Sequence, residues 1–553
     1  MSASTESSAT NVDADDGDAP RVEALFLIKF DKKVGYTIAW KRTLTEHVSL
    51  ENGVEYKSLP SGLHSVSNDL VYFTHDGYAG LSAFAKGDAG EEDRNAKFVS
   101  VGILVEKEGR HGRLGRAWLL AGRLEKLAAA LASDSSTVAP LEEFWQEQAS
   151  SRHTKGHVVD NGEIKAHSRP RAISTVSAVS KNEEKLPQYH PALSIQRFLD
   201  TFGPLVFRLQ QAALLRKRIL FVGVPPVRIA CEFVYNLSVL SSISPRDTEH
   251  CTPGTEELLR LSCLFSLGVH DIPYLEHVGN PKRGAHTAGA HVSEGWAACT
   301  TDEIIVTKTQ LYDIIVELPH TYDAPAQERR WPRIRTSDGS LIKASQRDVA
   351  RYKLLHKELF KQRTRSQAPL EPYTDNDDDD DDDSDDAAPL LSRDEVDTKR
   401  ADDDFNQAYD DTVVEAMTWS RLAYMGYMWW ASAGERDAFT TVERETDREL
   451  IGDLSEYSQS VETAIIAYFH RQSSLLIQSL SQMVEADQQG ERDVDEDGDA
   501  LVIDRHDLSR MGLDSWSEAD RAFVQEFGSL YFGRTVGVKG SEVDCCGLRV
   551  PIF

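Results

Sequence analysis

The chain has 553 residues, 40% of them hydrophobic, and carries 90 acidic against 61 basic side chains for a formal net charge of −29. That length supports more than one packed core, while the absence of any stretch concentrating lysine and arginine among aromatics argues against nucleic acid as a partner. No apolar run reaches the roughly 18 residues a spanning helix needs, the first 20 residues are polar and acidic, unlike a signal or transit peptide, and Cys231, Cys251, Cys263, Cys299, Cys545 and Cys546 form neither a CxxC pair nor a zinc spacing, so a cytoplasmic chain with reduced thiols is expected.

The negative charge is unevenly spread. Residues 1–20, 374–411 and 485–507 carry net −5, −15 and −8, leaving about −1 for everything else. Residues 1–20 therefore read as a disordered acidic N-terminus. The first lobe is expected over 21–150. Residues 21–30 (RVEALFLIKF) and 35–40 (GYTIAW) are strands joined by a hairpin, and residues 69–74 and 79–85 flank the turn His75-Asp76-Gly77-Tyr78. Residues 97–106 (KFVSVGILVE) form a fifth strand, and from Leu114 the apolar positions Trp118, Ala121, Leu124, Leu127, Ala128 and Leu131 recur at helical spacing. A helix over 138–148, with Leu141, Phe144 and Trp145, closes this lobe.

Residues 151–190 are polar and irregular, a linker. A second lobe is expected over 191–320. It opens with a long helical pattern over 192–215 broken at Gly203-Pro204, then a buried strand at 218–222 and a helix over 226–240 with Pro226 at its start. Segments 259–268, 296–300 and 304–307 complete a sheet, with 312–316 alongside, so strands alternate with helices in an α/β arrangement. Residues 321–400 form a partly disordered linker holding a helix near 347–362 and the run from Asp377 to Asp383, which repels itself and is expected to be a solvated tether. The region 401–553 reads as mainly helical, with helices at 405–433 and 455–484 and an acidic loop near 485–505.

Motifs for bond-making chemistry are absent: there is no phosphate loop, HExxH, GxSxG or kinase signature set. No catalytic residue, metal ligand or cofactor is assigned. Four weaker patterns have both a functional and a structural reading. Arg113 and Arg116, within Gly112-Arg113-Leu114-Gly115-Arg116 at a helix start, suit a phosphate or phosphoinositide; the preferred reading is a tight strand-to-helix turn with arginines facing water or a carboxylate, because basic residues there oppose the helix dipole. Asp493, Asp495, Asp497, Gly498 and Asp504 match calcium-loop spacing, but Ala500 stands where an apolar strand residue is needed and the last ligand is the shorter aspartate, so an acidic loop is preferred. His75 and Asp76 are explained by turn chemistry. Cys545 and Cys546 are a redox pair, acyl acceptors or, by preference, structural thiols.

The segment EYKSLPSGLHSVSNDLVYFTHDGYAGLSAF (55–84), followed by VSVGILVEKEGRHGRLGRAWLLA (99–121), resembles the upstream, longin-like lobe of DENN-domain proteins of the LCHN family. RKRILFVGVPPVRIACEFVYNLSVL (216–240) and GWAACTTDEIIVTKTQLYDIIVEL (295–318) resemble that family's α/β central lobe, and MGLDSWSEADRAFVQEFGSLYFGR (511–534) is similar to an additional C-terminal region of unknown function in fungal members. The resemblance implies a longin-like lobe, a central DENN lobe and a helical C-terminal region. It further implies guanine-nucleotide exchange on a Rab-type small GTPase in vesicle trafficking, with peripheral recruitment to vesicle or endosome membranes through that partner; the alternative is a GTPase-binding adaptor without exchange activity. GTPase-contacting residues follow no sharp motif, so none is named.

Overall fold

The computed structural model describes residues 20–31, 33–59, 62, 65–87, 97–107, 113–134, 137–155, 186–278, 295–322, 330–367, 409, 411–419, 421–423, 425–426, 438–452, 460–489, 500–539, 541–545 and 548–552. The expected acidic N-terminus, most of the 151–190 linker, the Asp-rich tether and residues 490–499 of the acidic loop lie outside the described residues.

Five strands open the fold: β1 (Val22–Asp31), β2 (Gly35–Thr43), β3 (Asn68–His75), β4 (Tyr78–Gly87) and β5 (Lys97–Glu106). They pair antiparallel in the order β3-β4-β5-β1-β2. β1 reads as a continuous apolar run because both of its faces are covered: Leu25 and Leu27 join the main core, while Ala24, Phe26 and Ile28 pack under Val48, Leu50, Val54 and Leu59. Those last residues belong to the β2–β3 connection, which contains the short helix α1 (Val54–Lys57). The amphipathic helix α2 (Ala121–Ser133) buries Leu124, Ala128 and Leu131 against β4 and β5. It is followed by α3 (Ala139–Lys155), which runs beyond the expected end at 148.

The second lobe contains α4 (Ile195–Phe202), α5 (Leu205–Leu214), β6 (Ile219–Val222), α6 (Arg228–Leu240), β7 (Ser262–Ser266), α7 (Ile272–Val278), β8 (Trp296–Thr300), α8 (Glu303–Thr307), β9 (Ile314–Glu317) and β10 (Arg333–Thr336). The break between α4 and α5 falls at Gly203, whose φ is 54° and whose Cβ position is filled by the Trp331 ring. β6, β7, β8 and β9 run parallel to one another, β10 is antiparallel to β9, and β7 meets β3 with Phe265 opposite Phe73. A single ten-stranded sheet, β10-β9-β6-β8-β7-β3-β4-β5-β1-β2, therefore crosses both lobes.

Two expectations are corrected in this lobe. Residues 304–307, read as a strand, are the helix α8: Ile305 is buried while Ile304 is 58% exposed, and so short an apolar run carries no periodicity to separate helix from strand. Pro226 lies outside α6, which starts two residues later at Arg228 under a cap from another part of the chain.

The C-terminal part comprises α9 (Gln346–Gln367), α10 (Ala438–Ile451), α11 (Val461–Gln488), β11 (Leu501–Ile503), α12 (Arg505–Arg510), α13 (Glu518–Phe532), β12 (Val536–Val538), β13 (Ser541–Cys545) and β14 (Leu548–Ile552). The expected helix over 405–433 is not formed at 411–418. There the β-branched Val414 bridges alongside Ala344, whose N–H donates to the Val413 carbonyl and whose carbonyl accepts from the Glu415 N–H, both at 2.8 Å, and helical residues begin at Trp419. Met417, Trp419, Leu422 and Met425, apolar residues within the expected 405–433 helix, are exposed.

This region is keyed to the second lobe by a buried ionic network. Arg208 of α5 donates to Asp520 of α13 at 2.7 Å and to Ser517 at 2.9 Å, and lies 3.1 Å from Asp348 of α9 and 3.3 Å from Glu415. Arg347 pairs with Asp447 of α10 at 3.1 Å, and Arg351 donates to the Gly512 carbonyl at 2.7 Å. Each arginine satisfies carboxylates and carbonyls that would otherwise be stranded away from water.

Candidate partner-binding surface at the seam between the lobes

Four joints hold the first lobe to the second. The first is Asp69, 6% exposed at the start of β3. Its carboxylate accepts from the Val227 N–H at 2.6 Å and the Arg228 N–H at 3.2 Å, the unpaired donors that open α6, and from its neighbour Leu70 at 2.9 Å. Burial pushes this carboxyl up to about 6 despite the three donors.

The second joint is Arg113. Gly115, with φ at 51° and a Cβ position 2.3 Å from the Glu106 carbonyl oxygen, permits the turn at 113–116 to pack against the end of β5. The turn sends Arg113 across the seam, where Nε donates to Ser238 Oγ at 3.0 Å and Nη2 to the Ser238 carbonyl at 3.1 Å and Ser242 Oγ at 2.5 Å. The guanidinium thus sits at the C-terminal end of α6, where the helix dipole favours a cation. The third joint pairs Lys57 with Asp271 at 2.8 Å and stacks Tyr56 on His270 with ring centroids 3.8 Å apart. At the fourth, the Tyr189 hydroxyl donates to Glu125 at 2.7 Å, and His190 packs edge-on against Trp118 and Tyr235. His190 Nδ1 accepts from Ala192 N–H at 3.1 Å, and burial lowers its pKa to about 4, keeping the ring neutral.

The residues singled out in the sequence are scattered. Arg113 is held at the seam by serine and carbonyl oxygens, and no carboxylate among the described residues pairs with it; Arg116 adopts φ 59° before the turn leading into α2. His75 is buried, its Nε2 2.6 Å from the Ser49 carbonyl oxygen, while Asp76 is exposed at the hairpin tip 3.5 Å away, an arrangement that anchors the β2–β3 connection. Asp504 caps α12, accepting from Asp507 N–H at 2.8 Å, and Leu501–Ile503 is a strand; Asp493, Asp495, Asp497 and Gly498 lie outside the described residues. Cys545 ends β13 and Cys546 lies outside the described residues. Among the described residues, no group of three His, Cys, Asp or Glu side chains is placed to hold a metal ion.

With both lobes joined through one sheet, the comparisons fall on the same span. Residues 25–328 match the family of DENN domain-containing protein 11. The chain belongs to that DENN family. DENN domain-containing protein 11 of Danio rerio is 31% identical over 299 residues, covering 54% of this chain and 54% of that protein, and its Xenopus laevis counterpart is 30% identical over 297 residues, covering 54% and 59%. The match thus spans about half the length of these curated relatives. The uncharacterized protein ANR2 of Saccharomyces cerevisiae is 23% identical over 568 residues, covering 96% of this chain and 95% of that protein. Residues 414–501 and 488–551 match a second family, a domain of unknown function called DUF4484.

The four joints lie inside the DENN-matched span, and the Arg208 network links that span to the DUF4484 region through Glu415, Ser517 and Asp520. Sequence reasoning missed Asp69 and Lys57 as joints and Arg208 as the link to the C-terminal region. A capping aspartate 158 residues from its helix leaves no local signal.

Proposed function

We propose that this DENN-family chain is a guanine-nucleotide exchange factor for a Rab-type small GTPase in vesicle trafficking. The observation that carries the reading is the family match across both lobes, and the joints of the seam support it by making the two lobes one body against which a GTPase can be deformed. Exchange is differential binding: the exchanger must hold the nucleotide-free GTPase more tightly than the nucleotide-bound one. A thousandfold difference corresponds to about 4 kcal/mol, which a rigid surface supplies without an acid–base pair. None of the described helices is long and apolar enough to cross a membrane; recruitment of a cytoplasmic chain to vesicle or endosome surfaces would run through the GTPase.

The experiment is a panel of Rab proteins loaded with fluorescent GDP, scored for release on adding the full chain and for capture in the nucleotide-free form. Release from one or a few members supports exchange. Capture without release supports the adaptor reading, and neither response contradicts both.

A further inference from the structure

Basic side chains gather at one end of the sheet, around the β3–β4 hairpin tip. His75 and Tyr78 face each other across that tip. Tyr78 also faces Glu106, so Lys107 lies just beyond the tip on the β5 flank. With Phe265 opposite Phe73 in antiparallel pairing, the residues leading into β7, including Arg260, lie on the other flank. Lys57 reaches the same end, its Nζ 2.8 Å from the Thr74 carbonyl oxygen. Arg113 is fixed close by: it bonds Ser238 Oγ, which itself donates to the Leu261 carbonyl at 2.6 Å, next to Arg260.

Among the described residues, the carboxylates here leave Lys107 and Arg260 unneutralised. Asp271 is taken by Lys57, while Asp76 and Glu106 are exposed. The half-buried side chains of Lys107 and Arg260 have no hydrogen bond or ion pair among the described residues. Burial lowers the pKa of both, and a neighbouring cation adds to it, Lys57 for Lys107 and Arg113 for Arg260. Cations that have lost part of their hydration and gained no carboxylate are costly to keep, and an external anion relieves that cost.

We propose that Lys107 and Arg260, with Lys57 and Arg113 adding to the local positive field, form a docking surface for an acidic segment of a protein partner. The cations are recessed, so they suit carboxylates on flexible stems better than a flat lipid surface. The surface steers such a segment onto the seam and sets its register. It does not depend on exchange activity, since an adaptor would use it equally.

The test uses the full chain and a fluorescein-labelled peptide of glutamates, followed by anisotropy. Binding is expected to weaken about tenfold as salt rises from about 50 to about 200 mM, and to weaken about tenfold in Lys107→Glu/Arg260→Glu. Lys126→Glu, the same charge change at an exposed site on α2, is expected to leave affinity unchanged. If the double reversal melts early, Lys107→Gln/Arg260→Gln replaces it, with about a fivefold loss expected. The proposal is overturned if the wild-type chain does not bind the peptide, if the Lys107/Arg260 and Lys126 variants lose affinity equally, or if phosphatidylserine vesicles bind through these residues while the peptide does not.

Discussion

Replacing Asp69 removes a side chain that fastens the first lobe to the opening turn of α6. The carboxylate is 6% exposed and takes two N–H groups across the seam, at 2.6 and 3.2 Å. Asp69→Ala leaves those donors buried without a partner; cap loss and unmet donors together give about 2–4 kcal/mol of destabilisation. Asp69→Asn keeps one acceptor oxygen and turns an NH2 toward a donor, so its loss should be smaller. The pH dependence gives a separate signature. Because the folded carboxyl is raised from 3.8 to about 6, the native state binds the proton more readily than the unfolded chain. The stability from this group is therefore fully present below about 4 and declines as pH rises through about 6, by at most about 3 kcal/mol. Urea unfolding of the full chain, read by tryptophan fluorescence at pH of about 4.5, about 5.5 and about 7, measures it. The advantage of wild type over Asp69→Asn should shrink as pH rises. The reasoning fails if Asp69→Ala unfolds within about 0.5 kcal/mol of wild type, or if that advantage is flat or grows with pH.

Other perturbations follow from the same geometry. His190→Gln should remove a pH dependence of opposite sign: lowered from 6.5 to about 4 by burial, the wild-type ring contributes stability present above 6.5 and lost as pH falls through 4, up to about 3 kcal/mol, measurable in the same urea series. Arg208→Met strands Asp520, Asp348 and Glu415, and should destabilise by about 3–5 kcal/mol while making the C-terminal region the first part cut in limited proteolysis. Gly115→Ala meets both a left-handed φ and the Glu106 carbonyl, and should lower stability by more than about 1 kcal/mol in thermal denaturation. Calcium at about 1 mM should leave the melting temperature of the full chain unchanged, because Asp504 is engaged as a helix cap; a rise abolished by Asp493→Ala would reverse the acidic-loop reading.

The elements that the sequence disclosed are those whose signals are local. The five strands of the first lobe alternate or run apolar within ten residues, α2 repeats its buried positions every three or four residues, and the break at Gly203-Pro204 is written in two adjacent residues. What escaped depends on distance or ambiguity. The joining of two lobes into one sheet rests on Phe73 opposite Phe265, two residues in separate strands with no covarying pattern visible in one chain. The Arg208 and Asp520 pairing spans 312 positions. At 304–307 the run was too short to show a period, and at 413–414 two valines that fit a helix stripe equally fit the extended bridge beside Ala344. Trp419 and Leu422 kept the helical spacing, but spacing alone does not say which face meets a core.

The most direct test of the exchange reading is the affinity of the full chain for a responding Rab in two states, nucleotide-free and GDP-bound, on the same preparation. The account predicts nucleotide-free binding at least about a thousandfold tighter, equivalent to about 4 kcal/mol, with excess GDP dissociating the complex. Equal affinity for the two states would contradict it, since a protein that binds both equally cannot shift the GTPase toward nucleotide release.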